Sequence, residues 1–174
     1  MYEFSTIINL FAGPGAGKST TAAGVFYELK QRGEKAELVG EFAKDLTWEK
    51  RTSALEIQPY VFGKQLHRIE RLLKAGVDFI VVDSPLLLSI VYNQMHGWYP
   101  ESFNQSVLDI AKKFEPITMN FFLDRNNREY REWGRNQTEQ EAIQIDRQIL
   151  TLLQECGVEY SHTSSVEEIV SSVG

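Results

Sequence analysis

The spacing of apolar positions changes several times along the chain, and each change marks an element. Thr6 to Ala12 is a short apolar run that ends in a glycine-rich turn. Ser19 to Gln31 then places Ala22, Val25, Phe26 and Leu29 at helical spacing. Gly33 is a natural stop for that helix, and Ala36 to Gly40 reads as a second strand. Between Ala54 and Ala75 the residues Leu55, Leu66, Ile69, Leu72 and Leu73 again have helical spacing. Pro59 and Gly63 interrupt them, which predicts a broken helix. Val77 to Asp83 is a continuous apolar run, as expected of a strand covered on both faces of a parallel sheet. Helical patterns follow at Leu86 to Gln94 and Ser102 to Phe114, with Pro116 closing the second, and Ile117 to Leu123 is a fourth strand. Thr138 and Glu141 form a capping-box signature that opens a long helix through Gln154. Val158 to Ser161 reads as a fifth strand, and Ser165 with Glu168 can cap a last helix.

Strands alternate with helices and no linker or repeat intervenes, which predicts one α/β domain over residues 1–174. Its sheet should have five mostly parallel strands flanked by helices. The segment from Asp124 to Asn136 stands apart as polar and arginine-rich.

Composition narrows the class. The chain has 174 residues, 43% of them hydrophobic and 24% charged, so it resembles an ordinary folded protein rather than a disordered one. A net charge of -6 repels polyanions overall, so any contact with nucleic acid must use a local basic surface. The single cysteine, Cys156, can make no intrachain disulfide or zinc cluster. The most apolar stretch, Phe79 to Tyr92, contains Asp83 and Pro85 and is shorter than the roughly 20 residues that span a bilayer. No secretory pattern opens the sequence, so a soluble, cytoplasmic protein is the expectation.

The chemistry concentrates in Ala12-Gly13-Pro14-Gly15-Ala16-Gly17-Lys18-Ser19, a phosphate-loop pattern with alanine in place of the first glycine. Glycines leave backbone N–H groups free to curl around phosphate oxygens, and the following helix N-terminus favours negative charge. Lys18 can reach the outer phosphates, Ser19 can ligate magnesium, and Thr20 continues the cradle. The uneventful alternative is a strand-to-helix turn with no ligand. Asp83 ends the third strand at the edge where the loop lies, so it can hold magnesium or cap the next helix. Glu41 follows the second strand at the same edge, placed either to orient or deprotonate an acceptor hydroxyl or to face solvent.

Arg128, Arg131 and Arg135 would share one helical face, with Arg125 just before them. Such a cluster suits a lid over roughly residues 124–137 that neutralises charge in the transition state, with Arg135 first and Arg131 second in importance. Otherwise it is a solvated face balanced by Glu129 and Glu132. Trp48, Trp98 and Tyr99 could stack a planar base or belong to the edge of the core. Lys64, His67, Arg68, Arg71 and Lys74 make one helix basic, either a solvated face or a surface that a phosphate-rich acceptor could use. His67 and His162 have no partners at metal-ligand spacing, which argues against a transition-metal site.

Together the phosphate loop, Gly40-Glu41-Phe42-Ala43-Lys44, Val81-Val82-Asp83-Ser84-Pro85 and Trp133-Gly134-Arg135 resemble the small P-loop nucleoside and nucleotide kinases. The likeness covers most of the chain. It is nearest to ribosylnicotinamide kinase domains and small bacteriophage kinases, including the thymidylate-kinase-like hydroxymethyluracil DNA kinases. The resemblance implies a P-loop NTPase fold, an ATP site from Gly13 to Thr20, magnesium near Ser19 and Asp83, a lid carrying Arg131 and Arg135, and Glu41 facing the acceptor. It implies γ-phosphate transfer to a nucleoside-type hydroxyl, hydroxymethyluracil within phage DNA being the specific expectation. A free-metabolite kinase acting on ribosylnicotinamide or a deoxynucleoside monophosphate is the alternative, and a non-catalytic ATP-binding switch a third. The sequence lacks the Asp-x-x-Gly and Asn-Lys-x-Asp motifs of GTPases, so adenine is expected rather than guanine.

Overall fold

The computed structural model describes residues 4–125 and 137–173. Arg128, Arg131 and Arg135, and most of the expected lid, lie outside the described residues.

Five strands form one sheet: β1 (Thr6–Phe11), β2 (Ala36–Val39), β3 (Phe79–Val82), β4 (Thr118–Leu123) and β5 (Ser161–Thr163). Their spatial order is β2-β3-β1-β4-β5, and every pairing is parallel. The sheet is thus wholly parallel where a mostly parallel one was expected. Strand β5 begins at Ser161 rather than Val158, because the turn that closes the preceding helix runs through Gly157, with φ +65°.

The crossovers contain α1 (Lys18–Gln31), then α2 (Phe42–Trp48), α3 (Thr52–Leu55) and α4 (Gln58–Lys74). Next come α5 (Leu88–His96), α6 (Glu101–Lys112), a 3₁₀ turn (Glu115–Ile117), α7 (Glu139–Glu155) and α8 (Val166–Ser172). The break expected between Ala54 and Ala75 falls before Pro59, not at it. Proline occupies the first turn of α4, where its missing N–H is no loss, and Gly63 stays helical. The capping box of Thr138 and Glu141 opens α7 as its sequence predicts, and Ser165 caps α8 by accepting from the Glu168 N–H.

Alternation along β1 divides the interior. Ile7 and Phe11 face a cluster built with α4, α5, α6 and α7, whereas Ile8, Leu10 and Ala12 face α1 and α8. Helix α1 meets α8 at Gly24, where a Cβ would stand 2.8 Å from Val166 Cγ2. Both faces of the central strands are covered, and the loops at their carboxyl edge form the natural site.

Candidate functional site

The loop from Gly13 to Gly17 leaves the carboxyl end of β1 and turns directly into α1. Gly15 and Gly17 have φ of +80° and +95°, a region that a side chain would disfavour. Ala12 shows why the first consensus glycine is dispensable here: its backbone is not in that region, and its methyl group is buried against α1 and β4. Gly13 is different. A Cβ there would meet the Ala142 carbonyl oxygen at 2.5 Å, and Arg125 Nη2 and Asp146 Oδ1 at 3.0 Å.

That crowding reveals a residue the sequence did not single out. Asp146, on α7, accepts the Gly13 N–H at 2.6 Å and pairs through its other oxygen with Arg125 Nε. Arg125 Nη2 also donates to the Ala142 carbonyl at 3.2 Å. The root of the phosphate loop is therefore tied to α7 and to the end of β4. No sequence signal pointed to Asp146, 133 residues from Gly13 and within an ordinary amphipathic helix.

Ser19 stands in the first turn of α1, and its Oγ donates to Asp83 Oδ2 at 2.6 Å. Asp83 is only 5% exposed, and its Oδ1 has no hydrogen-bond partner among the described residues. It does not cap the next helix, which starts five residues later at Leu88. A buried carboxylate oxygen left unpaired beside a hydroxyl suits a hard divalent cation that takes its remaining ligands from water and phosphate. Among the described residues no cluster of three or more His, Cys, Asp or Glu could hold a metal by protein ligands alone.

Glu41 is the N-cap residue of α2, with φ −73° and ψ 116°, and makes no capping bond through its side chain. Glu41 is half-buried, and the loss of water around its carboxyl raises the pKa above the ordinary value. The Lys18 ammonium acts in the opposite direction and the Asp83 carboxylate in the same one, so the three charges share one site. Buried Gln65 on α4 fixes the main chain on both sides of Glu41. It accepts the Phe42 N–H at 3.2 Å and donates to the Gly40 carbonyl at 3.3 Å. Arg68 Nη1 donates to the same carbonyl at 3.1 Å, while its Nη2 pairs with Asp45 at 2.5 Å. Arg68 also lies over the Phe42 ring.

The other basic residues of α4 are peripheral. Lys74 pairs with Glu70 and Lys64 covers Tyr60, as a solvated face would. Trp48 is 51% exposed, and Trp98 stacks on His96 with ring centroids 4.1 Å apart. Tyr99 instead joins the α5–α6 turn, its N–H donating to buried Asn93 at 2.9 Å. No helix among the described residues is long and apolar enough to cross a membrane.

A parallel sheet whose first strand feeds a glycine loop, a lysine and a hydroxyl at a helix N-terminus defines a P-loop nucleotide-binding protein. A family model described as AAA domain matches residues 7–168, and the chain belongs to that family. No curated protein matches the sequence.

Proposed function

We propose that this protein is an ATP-dependent kinase that transfers the γ-phosphate to a hydroxyl of a nucleoside-type acceptor. The observation that carries the reading is Glu41: a carboxyl with a raised pKa, sharing a site with Lys18 and Asp83 at the edge of the sheet. A phosphate loop needs no such group merely to hold a nucleotide, whereas phosphoryl transfer to a hydroxyl, that of an acceptor or of water, uses a proton acceptor beside the phosphates.

In the proposed reaction Gly13, Pro14, Gly15, Ala16, Gly17 and Thr20 surround the phosphates, and Lys18 offsets charge on their outer oxygens. Glu41 accepts the acceptor hydroxyl proton. The acceptor oxygen bonds to the γ-phosphorus as the bond to the β–γ bridging oxygen breaks, and ADP leaves. Ser19 and Asp83 would hold Mg²⁺, which supplies charge neutralisation at the transferring group. Arg131 and Arg135 are proposed to add positive charge over the same phosphates.

The acceptor assignment rests on the sequence resemblance: hydroxymethyluracil in phage DNA, or else free ribosylnicotinamide or a deoxynucleoside monophosphate. Membership of the AAA family favours one second reading, in which water is the acceptor and the protein is an NTPase switch. The test is transfer of labelled γ-phosphate from ATP to hydroxymethyluracil DNA, ordinary DNA, deoxynucleotides and ribosylnicotinamide, with free phosphate measured alongside. Label on the modified DNA alone supports the specific reading, and label on a free nucleoside or nucleotide moves the protein to metabolite phosphorylation. Release of phosphate with no acceptor labelled overturns the kinase reading in favour of hydrolysis.

A further inference from the structure

Asn9 occupies the middle of β1, the central strand of the sheet, between Ile8 and Leu10, which are both fully buried. Asparagine is depleted in strands, and an amide within a sheet is unfavourable unless partnered. The register sets Asn120 of β4 directly beside it. Asn9 Nδ2 donates to Asn120 Oδ1 at 3.0 Å, and Asn120 Nδ2 donates to the Glu159 carbonyl at 3.0 Å. The Asn9 side-chain Oδ1 makes no hydrogen bond within the described residues, and each side-chain amide keeps a further N–H to donate.

These two side chains line a cavity of about 220 Å³ with Leu87, Leu108, Phe114 and Cys156 among its walls. Packed interiors leave few voids larger than a water molecule, and an engineered hydrocarbon-lined cavity of about 150 Å³ takes up benzene. This one is larger and carries hydrogen-bonding groups. Its lining includes the first residue of β4 and the turn before β5, and none of the phosphate loop. It therefore opens at the amino-terminal edge of the sheet, away from Lys18, Glu41 and Asp83.

We propose that the cavity is a second ligand site, for a small, flat, uncharged molecule bearing a carboxamide or lactam edge. An amide edge is matched by its own kind, donor to acceptor and acceptor to donor, and the apolar walls suit a ring. A charged ligand against the Leu87, Leu108 and Phe114 walls would lie next to hydrocarbon, at a heavy desolvation penalty. Charged Lys112, Glu115 and Glu159 also line the cavity and are exposed, so charge is left in solvent.

Cys156, the sole cysteine of the chain, supplies the reporter. The test is alkylation of the full-length chain by iodoacetamide at mildly alkaline pH, with benzamide as probe and toluene as a ring of similar shape without the amide. Benzamide at about ten times its dissociation constant is expected to slow alkylation about tenfold, with toluene clearly weaker. Asn9→Leu should remove the advantage of benzamide, and Ala111→Phe, which adds a ring from the α6 wall, should remove protection by either. No protection by benzamide up to its solubility limit overturns the proposal. So does equal protection by the two probes, or protection that survives in folded Ala111→Phe. Neither result depends on phosphate transfer, so the site can stand or fall apart from the kinase reading.

Discussion

At Gly13 the physical constraint is a few tenths of a nanometre wide. Alanine there would press a methyl carbon against the Ala142 carbonyl and the Arg125–Asp146 pair, and these are main chain and charge-paired atoms that give little. We expect Gly13→Ala to destabilise the protein by about 1–3 kcal/mol, read by denaturant unfolding, and to weaken ATP binding. Glu41 makes the second prediction at this scale. A base must be unprotonated, so turnover should rise with pH through an apparent pKa above that of an ordinary glutamate. Glu41→Gln should abolish turnover along with that limb while keeping ATP affinity. The same shift acts on folding: the neutral carboxyl contributes stability that is fully present below the unfolded-state pKa and is lost as pH rises through the higher folded-state pKa. A stability profile flat across that interval would contradict the raised pKa of Glu41.

Helices α4 and α7 reach the site from different parts of the sequence, α4 through Gln65 and Arg68 and α7 through Asp146. Gln65 bridges Gly40 and Phe42 and so sets the direction in which Glu41 leaves the backbone. Gln65→Leu should lower turnover by up to about a hundredfold, the scale of misplacing a reacting group, with the ATP dissociation constant unchanged. Asp146 acts on the phosphate loop instead. Asp146→Ala would leave the Gly13 N–H and Arg125 without their carboxylate, at about 2 kcal/mol of stability, and should raise the ATP dissociation constant more than it lowers saturated turnover. Asp146→Asn, which keeps an acceptor for Gly13, should recover most of the ATP affinity. Equal effects of the two substitutions would show that charge, rather than the bond to Gly13, is what matters.

Over the whole molecule, nucleotide binding at a loop between β1 and α1 couples to unfolding, because the cradle exists only when the sheet is formed. MgATP at about a hundred times its dissociation constant should add about 2.7 kcal/mol to stability. ATP with a chelator should add less, since Asp83 then has no cation between it and the phosphates. Thermal unfolding with and without chelator measures both, and an identical shift in the two would remove Ser19 and Asp83 from cation binding.

Much of this architecture is local in origin and could be read from residue order. Periodicity identified the strands and most helices because the central parallel strands, covered on both faces, are mostly apolar, and helices covered on one face must repeat every three to four residues. The phosphate loop is equally legible, since glycine spacing, lysine and hydroxyl are consecutive, and the end of the third strand sets Asp83 at the same edge as Ser19, where they meet at 2.6 Å. Helix α2 escaped, and α3 showed only as the start of a broken helix, because each is too short to show a period.

What only the tertiary structure decided is which distant residues meet. Asp146 lies against Gly13, Gln65 brackets Glu41, and Asn9 faces Asn120 across a parallel ladder. None of these pairs is marked by spacing, because a parallel sheet joins its strands through crossovers that bring together residues far apart in order. Sequence by itself determined the kinds of element and the phosphate-binding chemistry. The fold decided how Glu41 is aimed, what steadies the loop, and that a cavity with an amide floor stands at the far edge of the sheet.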